Sequence, residues 1–298
     1  MSDLGLLPKE IERCLPCGVV MALAKLSTGK RICADEINEI RLRAHGSVSV
    51  TYGTENIILE CDVTEGQIGD CVTKLCRGSV YAHGDTIRRG YIIADGGVRV
   101  GVCGRLAADG RALSEITSVN IRVPHIVRGV CEGLFAHFAE RGVRSTLIYS
   151  PPGVGKTTLL RDLAARLGKE RRVAVVDTRG ELYIEKMLAH TMCDVLVGYS
   201  RAEGIEIATR TLSPEVIICD EIGDEGEVRQ MLSATNSGVP IIASAHASGV
   251  RELMTRVNLR LLHDGGVFSD YVGICRERIN GRLTRSFIFD ITPWEDVP

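Results

Sequence analysis

The stretch SPPGVGKTTLL, residues 150–160, is the feature that most constrains the fold of this chain. It resembles the pattern G-x-x-x-x-G-K-[ST], which marks a loop whose backbone wraps around phosphate groups, although Ser150 stands at the position of the first glycine. The apolar run TLIYS precedes the loop, and TTLLRDLAARLG continues it with the composition of a helix. Because a strand before and a helix after distinguish a real phosphate loop from a chance match, the stretch predicts a phosphate site.

Each part of the loop has a predicted role. Gly153 and Gly155 let the backbone approach the phosphates, Lys156 reaches the β- and γ-phosphates, and Thr157 offers a hydroxyl to Mg²⁺. Ser150 lies at the strand end, where the residue shapes the turn and does not contact phosphate, so serine is tolerated if its φ and ψ are accessible. We therefore place a nucleotide on Pro152, Gly153, Val154, Gly155, Lys156, Thr157 and Thr158, together with Asp177 from the next strand.

A second apolar run, EVIICDE, ends in two carboxylates, Asp220 and Glu221. In open α/β sheets, ligands bind at the carboxyl ends of the strands. Asp220 is placed to hold Mg²⁺ through water, with Thr157 as the other metal-binding residue, and Glu221 is placed to orient and polarise the attacking water. The alternative is a solvated strand end.

Two further stretches point to the same edge of a sheet. VVDTRGEL places Asp177, Arg179 and Glu181 just past a core strand, where any of them can touch the site or a neighbouring subunit. VPIIASAH ends in His246, which is placed to sense the γ-phosphate and which we group with Lys156 and Glu221 as catalytic. The alternative for His246 is an ordinary surface or core histidine.

The chain divides into two predicted domains. Residues 141–298 alternate apolar strands with helices, which predicts a mainly parallel sheet covered on both faces. Asn280–Gly281 lies between two strand-like runs and predicts a closing antiparallel hairpin. Residues 1–140 combine helices with short strands and Asp-Gly turns, which predicts a smaller α+β domain.

Composition excludes several classes of protein. With 45% hydrophobic residues among 298, the chain is not mainly disordered, and a net charge of −2 gives no global attraction to nucleic acid or anionic lipid. No apolar run approaches the roughly 18 residues of a membrane helix, and the first residues do not read as a signal peptide, so we expect a cytoplasmic protein. Eleven cysteines, mostly in apolar runs, fit a reducing compartment. We interpret the pair Cys14 and Cys17 as ordinary helix and turn residues, since no second CxxC completes a zinc site.

The order of these motifs resembles a known family. The phosphate loop, VVDTRGEL, VIICDEIGDE and ATNSGVPIIASAHA are similar to the secretion-ATPase family of RecA-like motors, with its acidic box, Asp/Glu strand and histidine box. EINEIRLR, GGVRVGVCGR and ITSVNIRVPHIVRG more narrowly resemble the stage III sporulation protein AA family of endospore-forming bacteria. The chain departs from the motors at Ser150 and in DEIGDE, where Gly223 takes the place of an arginine.

The resemblance implies a RecA-like P-loop ATPase core that uses ATP and Mg²⁺. It also implies a ring, with a hexamer expected, that works as the motor of a membrane channel assembly. Its partners would be channel proteins of the same sporulation stage, and its place the cytoplasmic membrane face toward the mother cell.

Arginines concentrate in one segment. Between Cys76 and Arg128 there are eight arginines and no lysines, against four acidic residues. Arginine suits phosphate recognition in trans, and the candidates are Arg105, Arg122 and Arg128; the alternative is a solvated sheet face. Two other functions stay open: a nucleic-acid-stimulated ATPase, disfavoured because aromatic residues make up only 4%, and a nucleotide-dependent scaffold, disfavoured by Glu221.

Overall fold

The computed structural model describes residues 7–29, 36–108, 110, 113–223, 225–235, 237–279 and 282–298. Contacts divide the chain into two compact units, Met1–His125 and Ile126–Pro298. The helix Glu132–Arg141 lies in the second unit, and the predicted domain boundary at residue 141 stays a prediction. Among the described helices, none has the length and apolar character that crossing a bilayer requires.

The first unit is an antiparallel sheet packed with short helices. Its six strands lie in the order β3-β2-β1-β6-β5-β4, and alternate residues of β1, β2, β5 and β6 point into one apolar core. Cys14 lies buried in the turn after the first helix and Cys17 lies exposed at the start of the second. The elements follow in this order: α1 (Lys9–Glu12), α2 (Cys17–Gly29), β1 (Ile37–Arg43), β2 (Ser49–Tyr52), β3 (Glu55–Ile58), α3 (Glu65–Leu75), α4 (Gly84–Arg88), β4 (Tyr91–Ala94), β5 (Val98–Leu106) and β6 (Leu113–Arg122).

The second unit is the predicted α/β core. Its seven strands lie in the order β13-β12-β7-β11-β10-β8-β9, parallel except for the antiparallel pair β12 and β13. The predicted mainly parallel sheet is thus confirmed. The elements follow in this order: α5 (Glu132–Arg141), β7 (Thr146–Ser150), α6 (Lys156–Leu167), β8 (Val173–Asp177), α7 (Glu185–Leu188), β9 (Cys193–Val197), α8 (Arg201–Ile207), β10 (Val216–Cys219), α9 (Glu225–Thr235), β11 (Ile241–His246), α10 (Val250–Met254), α11 (Val257–Asp264), β12 (Asp270–Ile279) and β13 (Arg282–Pro293).

The central strands are buried on both faces, as their continuous apolar runs predicted. Every residue of β7, β8 and β10 is buried. One face packs on α5 and α6, and the other packs on α8 to α11. Polar side chains can therefore reach solvent only at the strand ends, which is where the predicted site residues lie.

The predicted closing hairpin is present, with Ile279 paired to Arg282. Its turn, Asn280–Gly281, lies outside the described residues.

Candidate active site

The phosphate loop connects β7 directly to α6. Gly153 and Gly155 have φ of 78° and 128°, values that favour glycine. Ser150 ends β7 buried and is not among the described non-glycine residues with positive φ, so serine is accommodated without strain at that position. Helix α6 begins at Lys156, and its first backbone N–H groups therefore face the loop, the arrangement that favours an anion.

Lys156 lies against the end of its own strand. Its side chain is nearly buried, at 7% exposure, and Nζ donates to the carbonyl oxygen of Ser150 at 2.9 Å. Nζ also donates to His246 Nδ1 at 2.8 Å. Burial lowers the pKa of Lys156 to about 8, and the charge of Glu221 partly opposes that shift.

His246 joins Lys156 to Glu221. An ammonium group can only donate, so Nδ1 of the neutral ring accepts and the ring hydrogen sits on Nε2. Nε2 lies 3.2 Å from Glu221 Oε1. The other carboxylate oxygen, Oε2, lies 3.9 Å from Arg179 Nη1. The three predicted catalytic residues thus form one connected chain at the carboxyl ends of adjacent strands β7, β11 and β10.

Asp220 is held by an arginine that the sequence analysis missed. Arg201 Nε donates to Asp220 Oδ1 at 2.9 Å, and Arg201 Nη1 donates to Glu227 Oε1 at 2.6 Å. Burial raises the pKa of Asp220 to about 6, although Arg201 opposes the shift. Glu227 also accepts from the backbone N–H of Gly223 at 2.9 Å, which fixes the segment after Glu221. The sequence offered no signal for Arg201, because it begins helix α8, which carries none of the motifs.

Asp177 anchors a turn. The carboxylate is fully buried, and it accepts hydrogen bonds from the backbone N–H groups of Glu181, Leu182 and Tyr183 at 2.8–2.9 Å. The structure therefore makes Asp177 a positioning residue for the turn that carries Arg179, and the nucleotide contact predicted for it stays a prediction.

The remaining predicted loop residues surround the same point. Pro152 is exposed, and Val154, Thr157 and Thr158 are half-buried at the loop and the first turn of α6. Val154 accepts a hydrogen bond from Arg276 of β12, a second arginine that sequence reasoning missed.

The three candidate arginines for contact in trans each have a partner within their own unit. Arg105 Nε lies 3.4 Å from Glu115 Oε2, and Arg122 Nε lies 3.8 Å from Glu39 Oε1. Arg128 Nη2 lies 3.4 Å from the carbonyl oxygen of Lys186. Since the side chains of Arg105 and Arg122 are 78% and 57% exposed, these surface pairs are weak and leave the guanidinium groups accessible.

Comparison with known proteins identifies the family. The model of the family described as Sporulation stage III, protein AA, matches residues 9–290. The chain belongs to this family. It is 31% identical over 292 aligned residues to Stage III sporulation protein AA of Bacillus subtilis (strain 168), covering 93% of this chain and 94% of that relative.

Solved structures of an ATPase and of a pilus retraction motor share the fold. The Legionella pneumophila ATPase DotB superposes with a TM-score of 0.65 at 15% identity, over 99% of this chain and 83% of DotB. The pilus retraction motor PilT, in a structure with bound ADP, gives 0.63 at 14% identity, over 90% of this chain and 82% of PilT. At these identities the likeness shows the fold, and it confirms the predicted RecA-like architecture with an N-terminal α+β part.

Proposed function

We propose that this sporulation stage III protein binds Mg-ATP on residues 152–158 and hydrolyses it to ADP and phosphate, with Glu221 orienting the attacking water. One observation carries the proposal: His246 connects Lys156 of the phosphate loop to Glu221 through hydrogen-bonding distances of 2.8 and 3.2 Å. The lysine proposed to bind phosphate and a half-exposed carboxylate thus both contact His246.

The loop supplies binding. Gly153 and Gly155 give the backbone a conformation that exposes its N–H groups, and the start of α6 adds the positive end of a helix dipole. Lys156 has its ammonium at the strand end, within reach of a bound β- or γ-phosphate by a change of side-chain rotamer.

The donor set fits Mg²⁺. Thr157 offers a hydroxyl in the first turn of α6. Asp220 Oδ1 accepts the hydrogen bond from Arg201, whereas Asp220 Oδ2 accepts none from the described residues. Bound there, Mg²⁺ would neutralise charge on the phosphate oxygens. Arg201 holds the Asp220 carboxylate in one orientation through its Nε–H.

Glu221 has the environment of a water-orienting carboxylate. Its side chain is 38% exposed, so water can reach it, and His246 and Arg179 each lie near a different one of its two oxygens. His246 fixes the carboxylate and contacts Lys156 at the same time. A movement of Lys156 toward phosphate would therefore change the hydrogen bond of His246, and through His246 the position of Glu221.

We also propose that hydrolysis drives a membrane-associated channel assembly in endospore formation, from the cytoplasmic face toward the mother cell. Family membership supports the sporulation role, and the fold shared with an ATPase and a pilus retraction motor supports motor action. The proposed working form is a ring, with a hexamer expected, whose partners are membrane proteins of the same sporulation stage.

A titration of Mg-ATP tests the site. Lys156→Ala should weaken binding by roughly 100-fold, because a desolvated charge contact is lost. Lys169→Ala, an exposed lysine just beyond the same helix, should leave the Kd unchanged. Equal Kd values for wild type and Lys156→Ala would refute the site. ATP hydrolysis stimulated by single-stranded DNA or RNA would instead favour the nucleic-acid-dependent function.

A further inference from the structure

The β12–β13 hairpin extends past the carboxyl edge of the sheet, beside the phosphate loop. Strand β12 pairs with β7 as far as Gly273 and Tyr149, and β7 ends one residue later at Ser150. Strand β12 nevertheless continues to Ile279. Beyond Gly273, β12 continues in pairing with β13 but no longer pairs with β7, and on that side Arg276 lies next to the loop.

Two side chains of this extension pack directly on the loop. Arg276 and Phe287 are register partners across the hairpin, so both side chains project from the same face. Arg276 Nε donates to the carbonyl oxygen of Val154 at 2.8 Å. A Cβ atom on Gly155 would lie 2.7 Å from Phe287 Cζ and 3.6 Å from Arg276 Nη2. The guanidinium tethers the hairpin, and the half-buried ring covers the last glycine of the loop.

The order of the strands indicates which end of a bound nucleotide would lie near Arg276 and Phe287. The hairpin lies on the β12 side of β7, whereas His246 and Glu221 end strands β11 and β10 on the other side. Under the proposed function the terminal phosphate points toward His246 and Glu221. The nucleoside at the opposite end of the molecule then extends toward the hairpin.

We propose that the hairpin forms the nucleoside end of the site, with Phe287 packing its ring on the base and Arg276 holding the hairpin against the loop. This inference rests on the proposed ATP site and adds the contact that distinguishes a nucleotide from a bare polyphosphate. An aromatic ring suits a base, because every base presents a π-face for stacking. Arg276 acts through Phe287 and is a positioning residue.

The other face of the hairpin supplies a matched control. Cys275 and Ile288 are also register partners, and they line a cavity of about 640 Å³ that Ser150, Pro151 and Ala247 also border. Ile288 is exposed and follows Phe287 directly on β13, so its side chain points to the opposite face of the hairpin. Truncating Ile288 therefore changes the hairpin but leaves both Phe287 and Arg276 in place.

The test compares two ligands on the full chain, Mg-ATP and Mg-tripolyphosphate, which lacks the nucleoside. Phe287→Leu keeps apolar bulk over Gly155 and should weaken ATP about fivefold or more while leaving tripolyphosphate unchanged. Arg276→Met should do the same, because an untethered hairpin no longer positions the ring. Ile288→Ala should change neither Kd, and Lys156→Ala should weaken both ligands.

The remaining outcomes separate the inference from the proposed function. A variant at Phe287 or Arg276 that weakens both ligands equally would show that the hairpin only shapes the loop and would overturn the inference. Equal wild-type affinity for ATP and tripolyphosphate would overturn it too, while leaving a phosphate site in place. A wild-type chain that binds neither ligand would overturn the proposed function, and the inference with it.

Discussion

Lys156 Nζ lies 2.8 Å from His246 Nδ1, which links the phosphate loop to the end of a different strand. The same imidazole lies 3.2 Å from Glu221, so one side chain contacts both the group proposed to bind phosphate and the group proposed to orient water. Hydrogen bonds that involve charged groups contribute more free energy than neutral ones do. Removing the His246 contacts should therefore have a measurable effect.

Replacing His246 should slow hydrolysis more than it weakens binding. His246→Ala removes the contact with Glu221, and we expect kcat to fall about tenfold or more while the Kd for Mg-ATP changes less. Steady-state ATPase assays with parallel titrations measure both quantities. His263→Ala is the control. His263 lies in the same unit but contacts the hydroxyl of Tyr271, so its replacement should leave the ratio of kcat to Kd near the wild-type value. An unchanged kcat in His246→Ala would make His246 structural.

The pH dependence of ATP binding should have two limbs. Burial raises the pKa of Asp220 to about 6, so protonation below that pH removes the charge proposed to hold Mg²⁺. Burial lowers the pKa of Lys156 to about 8, so the ammonium loses its charge as pH rises through 8 and affinity falls again. Titrations of the nucleotide-free protein from pH 5 to 9 should therefore show tightest binding of Mg-ATP between about 6 and 8.

The alkaline limb has an internal check. The charge of Glu221 raises the pKa of Lys156, so Glu221→Gln should move the midpoint of that limb to a lower pH. Glu203→Gln changes an exposed glutamate of α8 and should leave the midpoint in place. A limb that does not move in Glu221→Gln would mean that another group titrates there.

Gly155 should tolerate no side chain. Its φ of 128° disfavours alanine, and the added Cβ would meet the ring of Phe287 at 2.7 Å. We expect Gly155→Ala to cost about 1–3 kcal/mol in the free energy of unfolding and to weaken Mg-ATP binding at least tenfold. Gly226→Ala, in helix α9 with open space around the new Cβ, should be neutral or slightly stabilising in urea. Wild-type affinity in Gly155→Ala would show that the loop adopts a different conformation in solution.

Much of this architecture could be predicted from the sequence because it depends on local patterns. Buried strands such as β7 and β10 are mainly apolar runs. Asp220 and Glu221 follow β10, His246 ends β11, and the carboxyl ends of these strands share one edge. The loop is marked by glycines whose positive φ values explain their spacing. Each of these signals is contained within a few neighbouring residues.

The contacts that the sequence did not reveal join distant segments. Arg276 lies 122 residues after Val154, and only the position of β12 beside β7 brings them together. Arg201 reaches Asp220 from a helix with no motif of its own. Asp177 has the residue type and position of a ligand, but its oxygens are occupied by backbone N–H groups of the turn that follows it, an arrangement that depends on loop conformation.

A ring with shared sites predicts activity that depends on protein concentration. Arg105→Ala, Arg122→Ala or Arg128→Ala should reduce kcat by about 10³-fold for the arginine that completes a neighbour's site, with ATP affinity preserved. Arg210→Ala, an exposed arginine paired with Glu206 four residues earlier, should have no such effect. Mixing the inactive arginine variant with Lys156→Ala subunits should restore part of the activity. Constant specific activity in a monomer, with no loss in the three variants, would favour a self-contained ATPase.

The most direct test of the central claim is single-turnover hydrolysis of bound Mg-ATP by wild type and Glu221→Gln. The variant keeps the size of the side chain and loses the charge that orients water. It should therefore bind Mg-ATP, and its rate of hydrolysis should be lower than that of wild type by about 100-fold or more. Hydrolysis at the wild-type rate in Glu221→Gln, with ATP bound, would contradict the assignment of Glu221 and with it the catalytic chain from Lys156 through His246.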